Sequence, residues 1–191
     1  MDISNIKFTA EFAAGLKAVK RLTLQNSFVE GLSVLPADVV ARLHTVDLTG
    51  CSIFNEELSV LGGVHMLILC GCENLEDVSA LGGVHTLDLS DCGDVTDVSA
   101  LGAVHTLSLC NCEGVTDVSA LGGVHTLDLS GCTGIEDVSS LGGVRVLNLS
   151  DCEYVTDVSA LGGVHTLNLT GCSGVTDISA LGNVRNLIPP S

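Results

Sequence analysis

Apolar and polar positions recur in short, near-identical bursts along most of this chain. Residues 81–100 read LGGVHTLDLSDCGDVTDVSA, and residues 121–140 read LGGVHTLDLSGCTGIEDVSS. The period is 20, without insertion, from Leu61 to the C-terminus, so positions 1–20 are counted from each leucine at 61, 81, 101, 121, 141, 161 and 181. Positions 7, 8 and 9 alternate apolar, polar, apolar, as in Leu87, Asp88 and Leu89, which predicts a short strand with one buried face. Positions 1, 4, 12, 15, 18 and 20 are also mostly small and apolar, so about eight side chains per unit are expected to point inward. Glycine holds position 2 in every unit from Gly62 to Gly182 and usually position 3. That pair predicts a tight corner leading into the next strand. A unit this short cannot bury its own apolar side, but stacked on its neighbours at about 4.8 Å per strand it can.

Upstream, Val19–Ser27 and Leu43–Cys51 carry degenerate copies of the strand phrase. Their spacings are longer: 24 residues from Ser27 to Cys51 and 21 from Cys51 to Cys72. With these two there are nine strand phrases, the last one incomplete. The chain therefore divides into a helical cap (1–18), irregular longer repeats (19–60), regular 20-residue repeats (61–188) and a short tail (189–191). Thr9 is placed to cap a helix over Ala10–Ala18, with Phe8 and Phe12 available to cover the open end of the first coil. Pro36 followed by Ala-Asp-Val-Val-Ala predicts a further short helix. Pro189 falls in the last expected strand and closes that edge, because proline cannot donate to a ladder.

The phrase V-x-x-L-x-L-x-x-C, as in Val84–Cys92 and Val124–Cys132, resembles the leucine-rich repeat strand motif with cysteine in its Asn/Cys place. The V-T-D-V-S-A-L wording that follows resembles the convex arc of internalin-type repeats. The resemblance spans roughly residues 16–188. It implies an α/β-type solenoid, mostly β and right-handed, with a parallel concave sheet of about 8–9 short strands. Twenty residues leave no room for a full convex helix, so 3₁₀ turns or loops are expected on that side. The resemblance also implies that position 12 (Cys51, Cys72, Cys92, Cys112, Cys132, Cys152 and Cys172) points inward and bonds to turn backbone, as a structural ladder. It implies no particular ligand, since one fold hosts many unrelated roles.

Charge adds a second contrast. Seven Lys and Arg face 23 Asp and Glu, for a net charge of −16. Residues 1–42 hold five of the basic and four of the acidic residues, whereas the remainder holds two basic and nineteen acidic ones. A surface this acidic argues against binding a phosphate backbone, which requires cations to release counterions. No apolar run approaches the roughly 18 residues of a membrane span, and the first 20 residues do not read as a secretory leader. Nine cysteines is an odd number, and the two outside the ladder, Cys70 and Cys110, sit two coils and about 10 Å apart, too far to pair. A reduced, cytoplasmic chain is expected.

Candidate chemistry recurs with the repeat instead of converging. Ser, His and Asp are abundant only because they repeat, and no phosphate-binding loop or metalloprotease motif is present, so no enzyme is expected. Histidine fills position 5 (His65, His85, His105, His125 and His165, with His44 equivalent), and Arg145 and Arg185 interrupt the column. Arginine is no zinc ligand, so no metal site and no cofactor are assigned. Asp at position 17 (Asp77 to Asp177) reads as an Asx turn and not a Ca²⁺ lattice. A ligand would meet the outward sheet positions: His85, Thr86, Asp88, His105, Thr106, Ser108, His125, Thr126, Asp128, Asn148 and Asn168. These are small polar groups without Trp, Tyr or Arg anchors, suited to weak or multivalent contact. The expected function is a non-enzymatic interaction or scaffold module, monomeric, with an unidentified protein partner and no nucleic acid or membrane. Two alternatives are a metal- or pH-responsive structural protein using the His column, and a consensus-like array without a specific ligand.

Overall fold

Each 20-residue unit becomes one coil of a solenoid. The computed structural model describes residues 5–191; the first four residues of the expected cap lie outside them. The strands are β1 (Asn5–Lys7), β2 (Arg21–Thr23), β3 (Phe28–Glu30), β4 (Thr45–Asp47), β5 (Ser52–Ile53), β6 (Met66–Ile68), β7 (Thr86–Asp88), β8 (Thr106–Ser108), β9 (Thr126–Asp128), β10 (Val146–Asn148), β11 (Thr166–Asn168) and β12 (Asn186–Ile188). Nine of them form one parallel sheet in the order β12-β11-β10-β9-β8-β7-β6-β4-β2. Register is strict: Leu87 lies opposite Leu67 on one side and Leu107 on the other. The strands occupy positions 6–8, one residue earlier than the alternation predicts. The inward leucine at position 7 is thus central, and the leucine at position 9 begins the turn.

Seven positions per coil are buried, not eight: in the coil from Leu81 these are Leu81, Val84, Leu87, Leu89, Cys92, Val95 and Val98. Position 20 faces outward, because the 3₁₀ turn Ser99–Leu101 sends Leu101 into the core and leaves Ala100 at the surface. Burying one leucine contributes about 1.5–3 kcal/mol, and each coil gains it only against its neighbours. The side opposite the sheet consists of such 3₁₀ turns, from Ser79–Leu81 to Ser179–Asn183.

The reason for glycine at position 2 differs from the expected one. Gly82 has φ −60°, an ordinary right-handed value, so conformational freedom is not required there. What forbids a side chain is the next coil: a Cβ on Gly82 would lie 2.3 Å from the Ala100 carbonyl oxygen, and one on Gly122 would lie 2.4 Å from that of Ser140. Gly182, in the last coil, has nothing within 4 Å. Left-handed backbone instead occurs at position 11, where Asn26, Gly50, Gly71, Asp91, Asn111, Gly131, Asp151 and Gly171 all have positive φ. Gly, Asn and Asp are the residues that tolerate it.

At the N-terminal end, Thr9 Oγ1 accepts the Phe12 N–H at 3.2 Å and caps helix α1 (Ala10–Gly15), which passes into a 3₁₀ turn at Leu16–Ala18. Phe8 is buried and packs edge-on to the more exposed Phe12, with ring centroids 5.1 Å apart. Pro36 precedes helix α2 (Ala37–Val40). Strand β1 of the N-terminal segment joins β3 and β5 of the longer repeats in a second parallel sheet, β1-β3-β5, which the sequence pattern does not predict. At the other end β12 stops at Ile188, so Pro189 follows the strand instead of lying in it. In internal coils the position-9 N–H donates forward, as Leu149 does to the Asn168 carbonyl. Pro189 has no such donor to offer.

Candidate functional site

Strand alternation sends positions 6, 8 and 10 out of the nine-stranded sheet, position 5 lies at the surface just before each strand, and the sequence-predicted binding residues lie at these positions. They do not converge on a pocket; they form parallel columns. Column 8 is tied to itself and to column 10. Asp88 Oδ1 accepts the Ser90 N–H (2.9 Å) and hydroxyl (2.6 Å), and Ser90 Oγ lies 2.8 Å from Ser108 Oγ. Asp128 Oδ1 accepts the Ser130 N–H and hydroxyl and also the Asn148 amide at 2.9 Å. Asn148 Oδ1 in turn accepts the Asn168 amide at 2.9 Å. Asp47 continues the column: burial pushes its carboxyl up, but hydrogen bonds from Thr49 and Gln25 and the Arg21 charge outweigh that and leave it below the usual carboxylate range. This part of the face is a preorganised hydrogen-bonded ribbon.

Column 5 is the most exposed. The imidazoles of His44, His65, His85, His105 and His125 follow one another with neighbouring centroids 4.5–4.6 Å apart; His44 is tilted by 47° to His65, the others stack, and the last two pairs lie within 15° of parallel. The Nδ1 atoms of His85, His105, His125 and His165 sit 3.1–3.3 Å from the hydroxyl of the next residue, Thr86, Thr106, Thr126 or Thr166. Lone pairs on parallel rings run side by side, whereas a zinc ion needs nitrogens converging to about 2.0–2.1 Å. Among the described residues no group of three or more His, Cys, Asp or Glu can hold a metal ion. Partial burial lowers the pKa of His85, and the neighbouring His65 and His105 lower it further.

The seven ladder cysteines are buried behind the sheet. Each donates its S–H to the position-9 carbonyl of the preceding coil, as Cys132 does to Leu109 at 2.9 Å. Burial pushes the Cys72, Cys112 and Cys152 thiols to about 12, and those of Cys92 and Cys132 to about 11. Thiols held so firmly in the neutral form are neither nucleophiles nor ready metal ligands. Cys70 and Cys110 are half-buried in column 10, and Cys70 approaches Asp91 Oδ2 at 3.7 Å. On the far edge, each position-17 aspartate accepts the N–H two residues on, as Asp117 does from Ser119 at 2.9 Å, the expected Asx turn.

Sequence reasoning missed two features of this surface: the lateral bonding of column 8 and the continuity of column 5. The second was visible in the residue types, since Lys20 in the first coil is also at position 5.

No protein-family model matches the sequence, and no curated protein matches it. Solved structures do. Internalin C2 from Listeria monocytogenes is 22% identical, with TM-score 0.68 over 94% of this chain and 83% of its own. The leucine-rich repeat domain of the type III effector XopL is 20% identical, with TM-score 0.71 over 96% of this chain and 72% of its own. The functional domain of InlJ from Listeria monocytogenes, described as including a cysteine ladder, is 15% identical with TM-score 0.53; this chain spans 52% of it. The chain has the leucine-rich repeat fold.

Proposed function

We propose that this leucine-rich repeat solenoid is a non-enzymatic interaction module that carries a protein partner on the outer face of its nine-stranded sheet. The observation that carries the reading is the face itself. It is continuous over nine coils, its column-8 groups are fixed by one another, and no nucleophile, base and oxyanion donor converge on it. Prepaid side-chain order favours binding by a flat polar surface, because less freedom is lost on contact. In the same reading the protein is a monomer, and residues 1–18 are an end cap that keeps the stack from growing. Among the described residues no helix is long and apolar enough to cross a membrane.

The test is affinity capture from extract of the source cells with the full chain and with a Ser108→Arg/Asn148→Arg variant, whose long side chains stand on the face. Recovery of one protein by the parent and its loss with the folded variant supports the reading. Equal recovery by both, or no saturable partner, overturns it. The stacked imidazoles favour a second reading, in which the column makes the array sensitive to pH.

A further inference from the structure

In a protein with 23 acidic residues, position 5 holds none. From first coil to last it reads Lys20, His44, His65, His85, His105, His125, Arg145, His165 and Arg185. The two arginines that interrupt the histidines therefore continue a single line of nitrogen-bearing side chains. All but the half-buried His165 are exposed. Lys20, Arg145 and Arg185 form no ion pair with any carboxylate among the described residues, whose two salt bridges are Lys7–Glu30 and Arg42–Asp38. Cations left free on so acidic a molecule are available to something else. Eight gaps of about 4.8 Å make the line about 38 Å long, enough for roughly 12 residues of extended chain at about 3.3 Å each.

The surroundings suit an extended ligand. On one side lies position 3, which is glycine in five of the seven regular coils, so the chain there has no side-chain wall. The 3₁₀ turns leading in, such as Ser119–Gly123 and Ser139–Gly143, carry no charge. On the other side the threonines of position 6 offer hydroxyls. The carboxylates on the same strands are Asp47, Asp88 and Asp128 at position 8, all engaged in the hydrogen bonds described above. Before β4, helix α2 and the residues that follow it bring Asp38 and Arg42, which pair with each other. Arg21 sits beside Lys20 and adds a cation.

We infer that this stripe is a docking line for an extended acidic peptide segment of a protein partner, engaged more tightly as the histidines charge. The inference rests on the interaction-module reading and names the chemistry of the partner. Three permanent charges become nine when all six histidines are protonated. Stacked rings tolerate that charge poorly alone, so carboxylates placed between them relieve the repulsion that protonation creates. A nucleic acid strand brings a charge at every residue and would meet the remaining acids; a peptide with spaced carboxylates meets fewer.

The probe is a fluorescein-labelled 12-residue peptide alternating Glu with Ser and Gly, with binding to the full chain read by anisotropy at about pH 5.5 and about pH 7.5. Saturable binding, at least about tenfold tighter at the lower pH, is expected, with the increment lost in His85→Gln/His105→Gln/His125→Gln and overall affinity reduced in Arg145→Gln/Arg185→Gln. Circular dichroism melts confirm that the variants remain folded. No saturable binding at the lower pH overturns the inference, as does a pH increment that survives the triple variant. An oligothymidylate or an anionic vesicle binding more tightly than the peptide also overturns it. Peptide failure combined with a partner still captured through the Ser108/Asn148 face overturns this inference alone, whereas equal capture by the parent and the sheet variant, or no saturable partner, overturns the broader reading.

Discussion

The Sγ of Cys92 donates to the Leu69 carbonyl oxygen, 3.1 Å away in the preceding coil, and that same oxygen accepts the Cys72 N–H at 3.1 Å. One carbonyl thus closes the turn of its own coil and fastens the coil above. The cysteine ladder is a clamp between neighbours, repeated down the stack.

Replacing Cys112 with Ala removes one clamp, at Leu89, and leaves a small void. The expected loss is about 1–2 kcal/mol in urea unfolding, from the hydrogen bond and the lost sulfur packing. Cys112→Ser keeps a donor and should fall between parent and Ala.

Thiol accessibility follows from the same geometry. With iodoacetamide at about pH 8, the native chain should acquire at most two adducts, on the half-buried Cys70 and Cys110. All nine should react in denaturant, as counted by intact mass. Rapid labelling of Cys132 in the native state would contradict the ladder.

Gly122→Ala and Gly182→Ala form a matched pair. The first drives a Cβ into the Ser140 carbonyl oxygen and should cost about 2–3 kcal/mol by thermal or urea unfolding. The second meets nothing within 4 Å and should change stability by less than about 0.5 kcal/mol.

These pairs show what could be read in advance. The strand period was legible because position 7 is leucine in every regular coil and position 9 in all but the last, and the ladder because cysteine repeats with the same phase. The second sheet was not: β1, β3 and β5 contribute only two or three residues each, too few for an alternation to show. The role of position 2 was misassigned because glycine serves conformational freedom and close approach alike, and only the position of the Ala100 oxygen distinguishes them. On the sheet face, the outward direction of Asp128 and Asn148 followed from alternation. Their bond to each other crosses between coils and has no signature within one.

Acid should loosen the array in two stages. His85 titrates below its ordinary value in the folded chain, so the unfolded chain takes up its proton first; stability falls as pH drops through the ordinary histidine range toward the folded pKa, then levels. His85→Gln should flatten that step in melts recorded across it. The second stage belongs to position 17. Hydrogen bonds from the hydroxyl and N–H of Ser119 hold Asp117 below the usual carboxylate range, and its five counterparts behave alike. Their contribution is complete above the ordinary aspartate value and is lost as pH falls through the folded one. Asp117→Asn should shrink this second loss.

The contact between each position-2 glycine and the carbonyl one coil on has a genetic corollary. Gly82 meets Ala100 as Gly142 meets Ala160, so any coil can follow any other. Excising residues 101–120 would join Ala100 to Leu121, remove Gly102 together with its partner Ala120, and leave the Gly82–Ala100 and Gly122–Ser140 contacts in place. Unequal exchange between the repeated coding segments would therefore lengthen or shorten the protein by whole coils without creating an ill-fitting junction. The number of rungs on its surface is then a heritable quantity that selection can set independently of the fold.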